Sequence, residues 1–284
     1  MTIVQILILA VIQGACEMLP VSSSAHVIVA EKLMGLDPTD PAMTFLLVML
    51  HTGTMLAVIA YFARAWRARY FSSRDTFWRF AKSVTLATAL TGIIGLALMF
   101  AIERIVLRGS ARAEVEQLFG NLYVIATGLA AAGVMIVVSG WRQAAAPGRD
   151  ALGLKAAAWI GAVQGLCLPF RGFSRSGATI SAGLLLGVEQ ASVEDFSFAL
   201  AVVLTPAVIA REGYRLLRAS ESALRAGGSV LQLTWPSLLG LALSFLAALA
   251  ALHWLSRALE RSRWQWFGYY CLAAAVAVLV LATR

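Results

Sequence analysis

Charge is what this 284-residue chain has least of. Asp, Glu, Lys and Arg make up 13% of it, against about 25% in ordinary soluble domains. With 60% hydrophobic residues and a mean hydropathy of +0.79, that scarcity excludes a disordered chain, a nucleic-acid-binding domain and an ordinary cytosolic enzyme. Cysteine is scarce too. Cys16, Cys167 and Cys271 are too few for a disulfide framework, lie in apolar surroundings, and stand at no zinc-ligand spacing with the three histidines. Acid is outnumbered by base, 15 to 23, for a net charge of +8 and a pI near 9.9. The arginines fall between apolar runs, so the excess reads as topology signals and lipid-headgroup contacts, with no nucleic acid as partner. No Lys or Arg precedes Lys32. Met1–Ala15 therefore lacks the basic n-region of a signal peptide, and the apolar N-terminus is expected to stay in the mature protein.

What is present is apolar sequence in membrane-length pieces. Six runs are long enough, or nearly so, to cross a hydrocarbon core of roughly 30 Å as helices: Ala42–Phe62, Ser83–Ile102, Leu118–Ser139, Phe196–Ala210, Trp235–Leu255 and Phe267–Thr283. The fourth is short unless Asp195 or the stretch beyond Arg211 lies at the interface. Two further apolar regions, Met1–Leu36 and Leu154–Val188, are broken midway by Pro, Ser, Gly and charge. Broken backbone at membrane depth must be buried in protein or line a wet cavity, so both read as re-entrant helix–loop–helix hairpins. Arg64–Lys82 carries six basic residues against one acid, Asp75, the strongest cytoplasmic signal in the chain. Counting outward puts Gly140–Lys155 and Ser256–Trp266 on the same side, and Glu31–Pro41, Glu103–Glu116 and Arg211–Thr234 outside. The last holds four arginines and runs against the rule. Tryptophans 66, 78, 141, 235, 254, 264 and 266 fall near predicted span ends and read as interfacial anchors, as does His253 beside Trp254.

The two broken regions repeat one another. One reads Gln13-Gly-Ala-Cys-Glu-Met-Leu-Pro-Val-Ser-Ser-Ser-Ala-His26, the other Gln164-Gly-Leu-Cys-Leu-Pro-Phe-Arg-Gly-Phe-Ser-Arg-Ser-Gly-Ala-Thr179. Both hold Gln-Gly-x-Cys, a Leu-Pro step and Ser-x-Ser before a small residue. Ser24 precedes Gly35 by 11 residues and Ser176 precedes Gly187 by 11; each copy then runs into a Phe-led apolar segment. This register implies a duplication within one integral membrane domain, residues 1–284, with repeats near 1–140 and 154–284. The expected fold is an all-α polytopic membrane protein of two inverted-topology repeats, each a re-entrant hairpin plus three transmembrane helices, since an odd number of crossings turns the second copy over. The site is expected where the two breaks meet.

Ionisable groups inside apolar segments mark function by default. Glu17, His26, Arg171 and Arg175 lie in the duplicated motifs; His51 is mid-span, where bonding to a neighbouring helix is the simpler reading. Hydroxyls surround the motif residues at Ser22, Ser23, Ser24, Ser174, Ser176 and Thr179. Pro20 and Pro169 break the helices, and the serines that open the next helix serve as caps or leave its N-terminus to an anion. Arg offers the planar bidentate contact that suits phosphate. A pocket with Arg, hydroxyls, a carboxylate and an imidazole has the parts for phosphate-ester hydrolysis: Ser or His can attack phosphorus, His or Glu can move protons, and a carboxylate can hold a divalent metal. Its place in the membrane points to a lipid with a phosphorylated head. Inverted repeats with broken helices also describe transporters, so a carrier or flippase of a phosphorylated lipid or anion is the second reading.

The strings Glu17-Met-Leu-Pro-Val-Ser-Ser-Ser-Ala-His26 and Gly172-Phe-Ser-Arg-Ser-Gly-Ala-Thr179, with His51-Thr-Gly-Thr and Glu194-Asp-Phe-Ser-Phe198, resemble the bacterial undecaprenyl-diphosphate phosphatase family, also called the bacitracin-resistance family, over the whole chain. The resemblance implies a multi-pass hydrolase of the bacterial inner membrane. It would release the terminal phosphate of undecaprenyl diphosphate and return the monophosphate carrier to peptidoglycan synthesis. A divalent cation, Mg²⁺ or Ca²⁺, and a site open to the periplasmic side are implied as well. The implied partners are the polyprenyl diphosphate and membrane lipids, with room for a homodimer. Glu17 matches the second acid of the family's acid-rich motif, and Ser23 and His26 match its nucleophile and proton-transfer positions, either of which has been given the attacking role. Arg175 with Ser174, Ser176, Gly177 and Thr179 matches the phosphate-binding turn, with Ser22 and Ser24 adjoining. Three positions depart from the pattern. Gln13 replaces the first acid and weakens the metal set it would form with Glu17, Ala25 replaces a Gly, and Arg171 replaces a Pro and adds charge beside the pocket.

Overall fold

Two helices with a short break between them open the chain, α1 (Ile3–Glu17) and α2 (Ser23–Leu33). Three long helices follow: α3 (Pro41–Tyr70), α4 (Arg74–Ala101) and α5 (Leu122–Ala145). The series then recurs as α6 (Leu154–Cys167), a break, α7 (Arg175–Leu185), α8 (Gln190–Ala219), α9 (Val230–Leu259) and α10 (Gln265–Ala282). The computed structural model describes residues 1–106, 115–146, 148, 151–221, 230–259 and 264–283, and no β-strand occurs among them.

Among the described residues six helices, α3, α4, α5, α8, α9 and α10, are long and apolar enough to cross a membrane. On α4 and α10 only 22% of the apolar window is buried inside the protein, and Ile93, Leu96 and Val276 are each more than 60% exposed (65%, 64% and 62%). Apolar bands of that extent are untenable in water and natural against lipid. The protein is an all-helical membrane protein.

The span centres agree with the sequence reading, but the ends differ. The basic segment 64–82 is not a loop: Arg64–Tyr70 completes α3 and Arg74–Lys82 opens α4. The fourth span runs Gln190–Ala219, 30 residues where the apolar run Phe196–Ala210 had appeared short. Asp195 sits inside it because Arg69 pairs with its carboxylate and Trp66 Nε1 donates to it at 3.4 Å, so the charge is carried in the helix without terminating it. The third span begins at Leu122, not Leu118, because Asn121 accepts hydrogen bonds from the amides of Tyr123 (2.9 Å) and Val124 (3.3 Å) and caps the helix there. Trp264 is not an interfacial anchor. It is buried, and its indole N–H lies 3.1 Å from Ser139 Oγ and 3.2 Å from Ser181 Oγ. Trp254 and parts of the expected connections 103–116, 211–234 and 256–266 lie outside the described residues or side chains. The three cysteines are free.

The helices pack across the two halves. α9 lies along α3 and α1, α10 along α5, and α6 along α4, while α3 meets α8. Small residues permit these approaches, as is usual where lipid leaves no hydrophobic drive between helices. A Cβ at Gly14 of α1 would stand 2.5 Å from Ala247 Cβ of α9; one at Gly165 of α6 would stand 2.9 Å from Ile94 Cβ of α4. These glycines occupy the same place in the repeated Gln-Gly step, and each abuts the second long helix of the opposite half. Thr91 Oγ1 closes the α4–α6 seam by donating to Gly161 O at 2.9 Å.

Candidate active site

The two breaks are built differently. After α1, Pro20 lacks an amide and cannot extend the helix, and Ser22 turns the chain with φ 65°, the one non-glycine residue with positive φ among those described. Ser22 occupies the N-cap of α2 but makes no side-chain cap, so the first amides of α2 lack the usual hydroxyl partner. In the second break Gly172 takes the left-handed turn, φ 97°, which a glycine adopts without steric cost. Ser174 then caps α7 through Oγ, which accepts from Gly177 N at 3.1 Å. The open helix end is α2's; that of α7 is closed by its own serine.

Four helices bring their polar side chains to one carboxylate. Glu17, at the end of α1, is 4% exposed. Its Oε1 accepts from Arg175 Nη2 of α7 at 2.8 Å. Its Oε2 accepts from Ser23 Oγ of α2 at 2.5 Å, from Gln13 Nε2 at 2.7 Å, and lies 3.2 Å from His51 Nδ1 of α3. Arg175 Nη2 is also 3.4 Å from His51 Nε2. One assignment satisfies every contact: Nδ1–H donates to the carboxylate, and Nε2 accepts from the guanidinium. A buried ion pair is tolerable only with such additional hydrogen bonds. The shell is nevertheless incomplete, for Arg175 Nη1, Gln13 Oε1 and Ser22 Oγ are buried without a hydrogen-bond partner. Orphaned polar atoms are rare in native interiors and call for a reason; the two donors, Arg175 Nη1 and Ser22 Oγ, suit an anion, whereas Gln13 Oε1 can only accept.

That cluster faces a cavity of about 220 Å³. Pockets for drug-sized ligands run to roughly 300–1,000 Å³, so this one has room for a headgroup and not for a long chain. Gln13, Glu17, Ser22, Ser23, Ser24, Arg171, Ser174, Arg175 and Ser176 line it. Arg171 also lies over the Phe119 ring, 4.3 Å from its centroid. Three residues singled out from sequence are not in the lining. Gly177 is engaged with Ser174 Oγ. Thr179, wholly buried, donates to Arg175 O at 2.8 Å and meets Ser197 Oγ at 2.6 Å, joining α7 to α8. His26 is turned away: Nδ1 lies 2.9 Å from Ser22 O and Nε2 lies 2.7 Å from the Tyr270 hydroxyl.

The cavity also holds residues that the sequence reading left aside. His51, which the sequence marks as an ionisable group in mid-span and which reads there as bonding a neighbouring helix, is the imidazole of the cluster. Thr205, Arg211 and Glu212 of α8 also line the cavity, and buried Glu212 pairs with Arg211 at 2.7 Å and Arg215 at 3.6 Å. For His51 the geometry sets an expected outcome. His51→Phe should lower turnover by about tenfold, the scale of one charge-assisted hydrogen bond, whereas His51→Asn, whose amide can replace Nδ1–H, should retain most of it. Equal losses in both variants, measured as kcat at saturating substrate, would remove that hydrogen bond from the site.

A polytopic helical membrane protein that converges an arginine, a carboxylate and serine hydroxyls on a headgroup-sized cavity belongs with membrane proteins that act on anionic lipids. The family model described as bacitracin resistance protein BacA matches residues 6–277, and the chain belongs to that family. It is 54% identical to undecaprenyl-diphosphatase 2 of Acinetobacter baylyi over 283 residues, 99% of each chain. It is 32% identical to the undecaprenyl-diphosphatase of Desulfosudis oleivorans over 284 residues, 99% of each chain. Against that of Thermus thermophilus it is 33% identical over 272 residues, 95% of this chain and 93% of the relative.

Proposed function

We propose that this protein is an integral membrane undecaprenyl-diphosphatase, releasing inorganic phosphate from undecaprenyl diphosphate and leaving the monophosphate lipid. The observation that carries the reading is the Ser23 hydroxyl 2.5 Å from buried Glu17, which in turn is paired with Arg175 at 2.8 Å, in a chain aligned end to end with diphosphatases. Arg175, with its Nη1 donor unsatisfied, and the uncapped amides of α2 grip the terminal phosphate, helped by Ser22, Ser24 and Ser176. Ser23 Oγ attacks phosphorus, and its proton passes to Glu17 Oε2. The bond from phosphorus to the bridging oxygen breaks, and that oxygen leaves on the lipid monophosphate with the proton from Glu17. Water then attacks the phosphoserine, giving one proton through Glu17 back to Ser23 Oγ. His26, outside the cavity, takes no part in the attack. A carrier has no use for a hydroxyl held so close to a buried carboxylate, and that reading is not favoured.

A divalent cation, Mg²⁺ or Ca²⁺, fits the same reading. Glu17 and the orphaned Gln13 Oε1 offer two oxygens. The diphosphate would supply others, as in sites where Mg²⁺ is held by one or two carboxylates and substrate phosphates. Bound there, the cation would neutralise diphosphate charge. Among the described residues no three His, Cys, Asp or Glu stand close enough to hold a metal together, so in this reading the diphosphate supplies the remaining ligands. Gln13→Glu should therefore lower the Mg²⁺ concentration for half-maximal stimulation by about tenfold, in line with one added anionic ligand. It should also add a thermal shift with Mg²⁺ alone. An unmoved metal titration would take Gln13 out of the ligand set.

The fold reading is finer than the six spans. The two halves share helix lengths, 11 residues in both α2 and α7 and 30 in both α3 and α8. They also exchange partners, α1 packing on α9 and α6 on α4. This supports two inverted repeats, about 1–140 and 154–284 in one domain, with α1–α2 and α6–α7 as re-entrant hairpins. The basic ends of α3 and α4 support a cytoplasmic placement for the α3–α4 turn, which leaves the cavity open to the periplasmic side of the inner membrane. The test is phosphate release from undecaprenyl diphosphate by the purified protein in detergent, with and without Mg²⁺ or Ca²⁺. Metal-stimulated release supports the reading, and none from folded protein overturns it.

A further inference from the structure

We propose that His26 and Tyr270 are positioning residues, a clasp that holds Ser22 in its left-handed backbone and so sets the Ser22–Ser23 step against Glu17. The proposal rests on the phosphatase reading above only for its kinetic test. Ser22 is the one described non-glycine residue with positive φ, at 65°, a conformation that costs energy and persists where neighbours enforce it. Its neighbours are identifiable. The Ser22 carbonyl accepts from the amides of Ala25 at 3.1 Å and His26 at 3.4 Å, and His26 Nδ1 reaches the same oxygen at 2.9 Å.

The two nitrogens of the imidazole have fixed roles. A carbonyl oxygen can only accept, so Nδ1 carries the proton, and Nε2 accepts from the Tyr270 hydroxyl at 2.7 Å. The rings also stack, centroids 5.7 Å apart and planes 12° from parallel. Both nitrogens are occupied outside the cavity, which suits a brace and leaves no nitrogen to carry a proton at phosphorus. Tyr270 belongs to α10, the last helix, 244 residues from His26. Its neighbour Cys271 adds a second tie, with Sγ 3.5 Å from Pro20 O. Consecutive residues of α10 thus hold the first break at its middle, Pro20, and, through His26, at its end, Ser22. The next residue is Ser23, whose hydroxyl must stay 2.5 Å from Glu17. The second break needs no such brace, because glycine takes its positive φ.

Tyr270→Phe removes one hydroxyl from a half-exposed ring and keeps the stack. It should lower kcat about tenfold, the loss expected for one positioning hydrogen bond, with KM moved less than about twofold. The signature of a brace is its dependence on strain. Glycine holds φ 65° unaided, so in a Ser22→Gly background, whatever its own rate, adding Tyr270→Phe should cost less than about twofold. Equal cost in both backgrounds would overturn the proposal, as would full kcat in Tyr270→Phe alone. Amide hydrogen exchange gives a reading independent of catalysis. The segment 21–26 should exchange faster in Tyr270→Phe than in the wild type, and unchanged exchange overturns the clasp. If wild-type protein releases no phosphate, the phosphatase reading fails while the exchange experiment still decides this one.

Discussion

Arg175→Ala should lower phosphate release by about 10²–10³-fold, the usual cost of losing a preorganised donor to developing phosphoryl charge, and Arg175→Lys should be nearly as damaging. The guanidinium does three things at once. Nη2 holds Glu17 Oε1 at 2.8 Å and approaches His51 Nε2 at 3.4 Å, while Nη1 is buried with no partner and remains for the phosphate. An ammonium is a single point of charge and cannot span those directions. The alanine variant also leaves Glu17, 4% exposed, without its cation, which typically costs about 3–5 kcal/mol. Its melting temperature in detergent should therefore fall, whereas the lysine variant should melt near the wild type and still be slow. Kinetics and thermal melts of both variants separate the roles: near-normal turnover with lysine would mean that charge suffices and that the planar fork is incidental.

The motifs that carry chemistry could be read from the chain because apolar background makes polar residues conspicuous. Pro20 and Pro169 mark both breaks without any knowledge of tertiary structure, and the span centres follow from hydropathy. The ends do not. Arg64–Lys82 is polar enough to resemble a loop, yet helices continue through it because long basic side chains reach the interface while the backbone stays helical. The run that begins at Phe196 reads as short, and only the partners on α3, Arg69 and Trp66, explain why the helix carries Asp195. The same limit applies at the site. Ser23 and His26 stand in one motif, whose resemblance to the family assigns them nucleophile and proton-transfer positions, so a shared pocket is what the sequence implies. The imidazole instead goes to Tyr270, on a helix whose placement no local pattern reveals. His51 was discounted for the converse reason: a lone histidine in a span has no local sign of which neighbour it meets, and here it meets Glu17. Trp264 shows the same effect among the aromatics, since two serines from different helices receive its N–H inside the protein.

Ser23→Ala should reduce phosphate release by at least about 10³-fold, as expected when an attacking hydroxyl is deleted, while leaving the protein able to bind its lipid. The second half of that statement gives the experiment its force. Ser23 contributes one hydroxyl to Glu17, whose other contacts to Arg175, Gln13 and His51 survive the substitution, so the anion grip and the fold should be kept. Binding of undecaprenyl diphosphate by the inactive variant should remain within a few-fold of the wild type. Arg175→Ala should instead lose affinity along with rate. A covalent route adds an observable that no general-base scheme shares. With substrate carrying labelled terminal phosphate, acid-quenched wild-type protein should retain label on the peptide that holds Ser23, and Ser23→Ala should retain none. His26→Asn, which leaves Ser23 in place, should still label, at a slower rate set by how far Ser22 relaxes. Label on His26 in a parallel sample quenched in alkali, where phosphohistidine survives, would reverse the assignment and require the imidazole to leave Tyr270 for the cavity. Substantial turnover in Ser23→Ala without label would make water the attacking group and Glu17 its base.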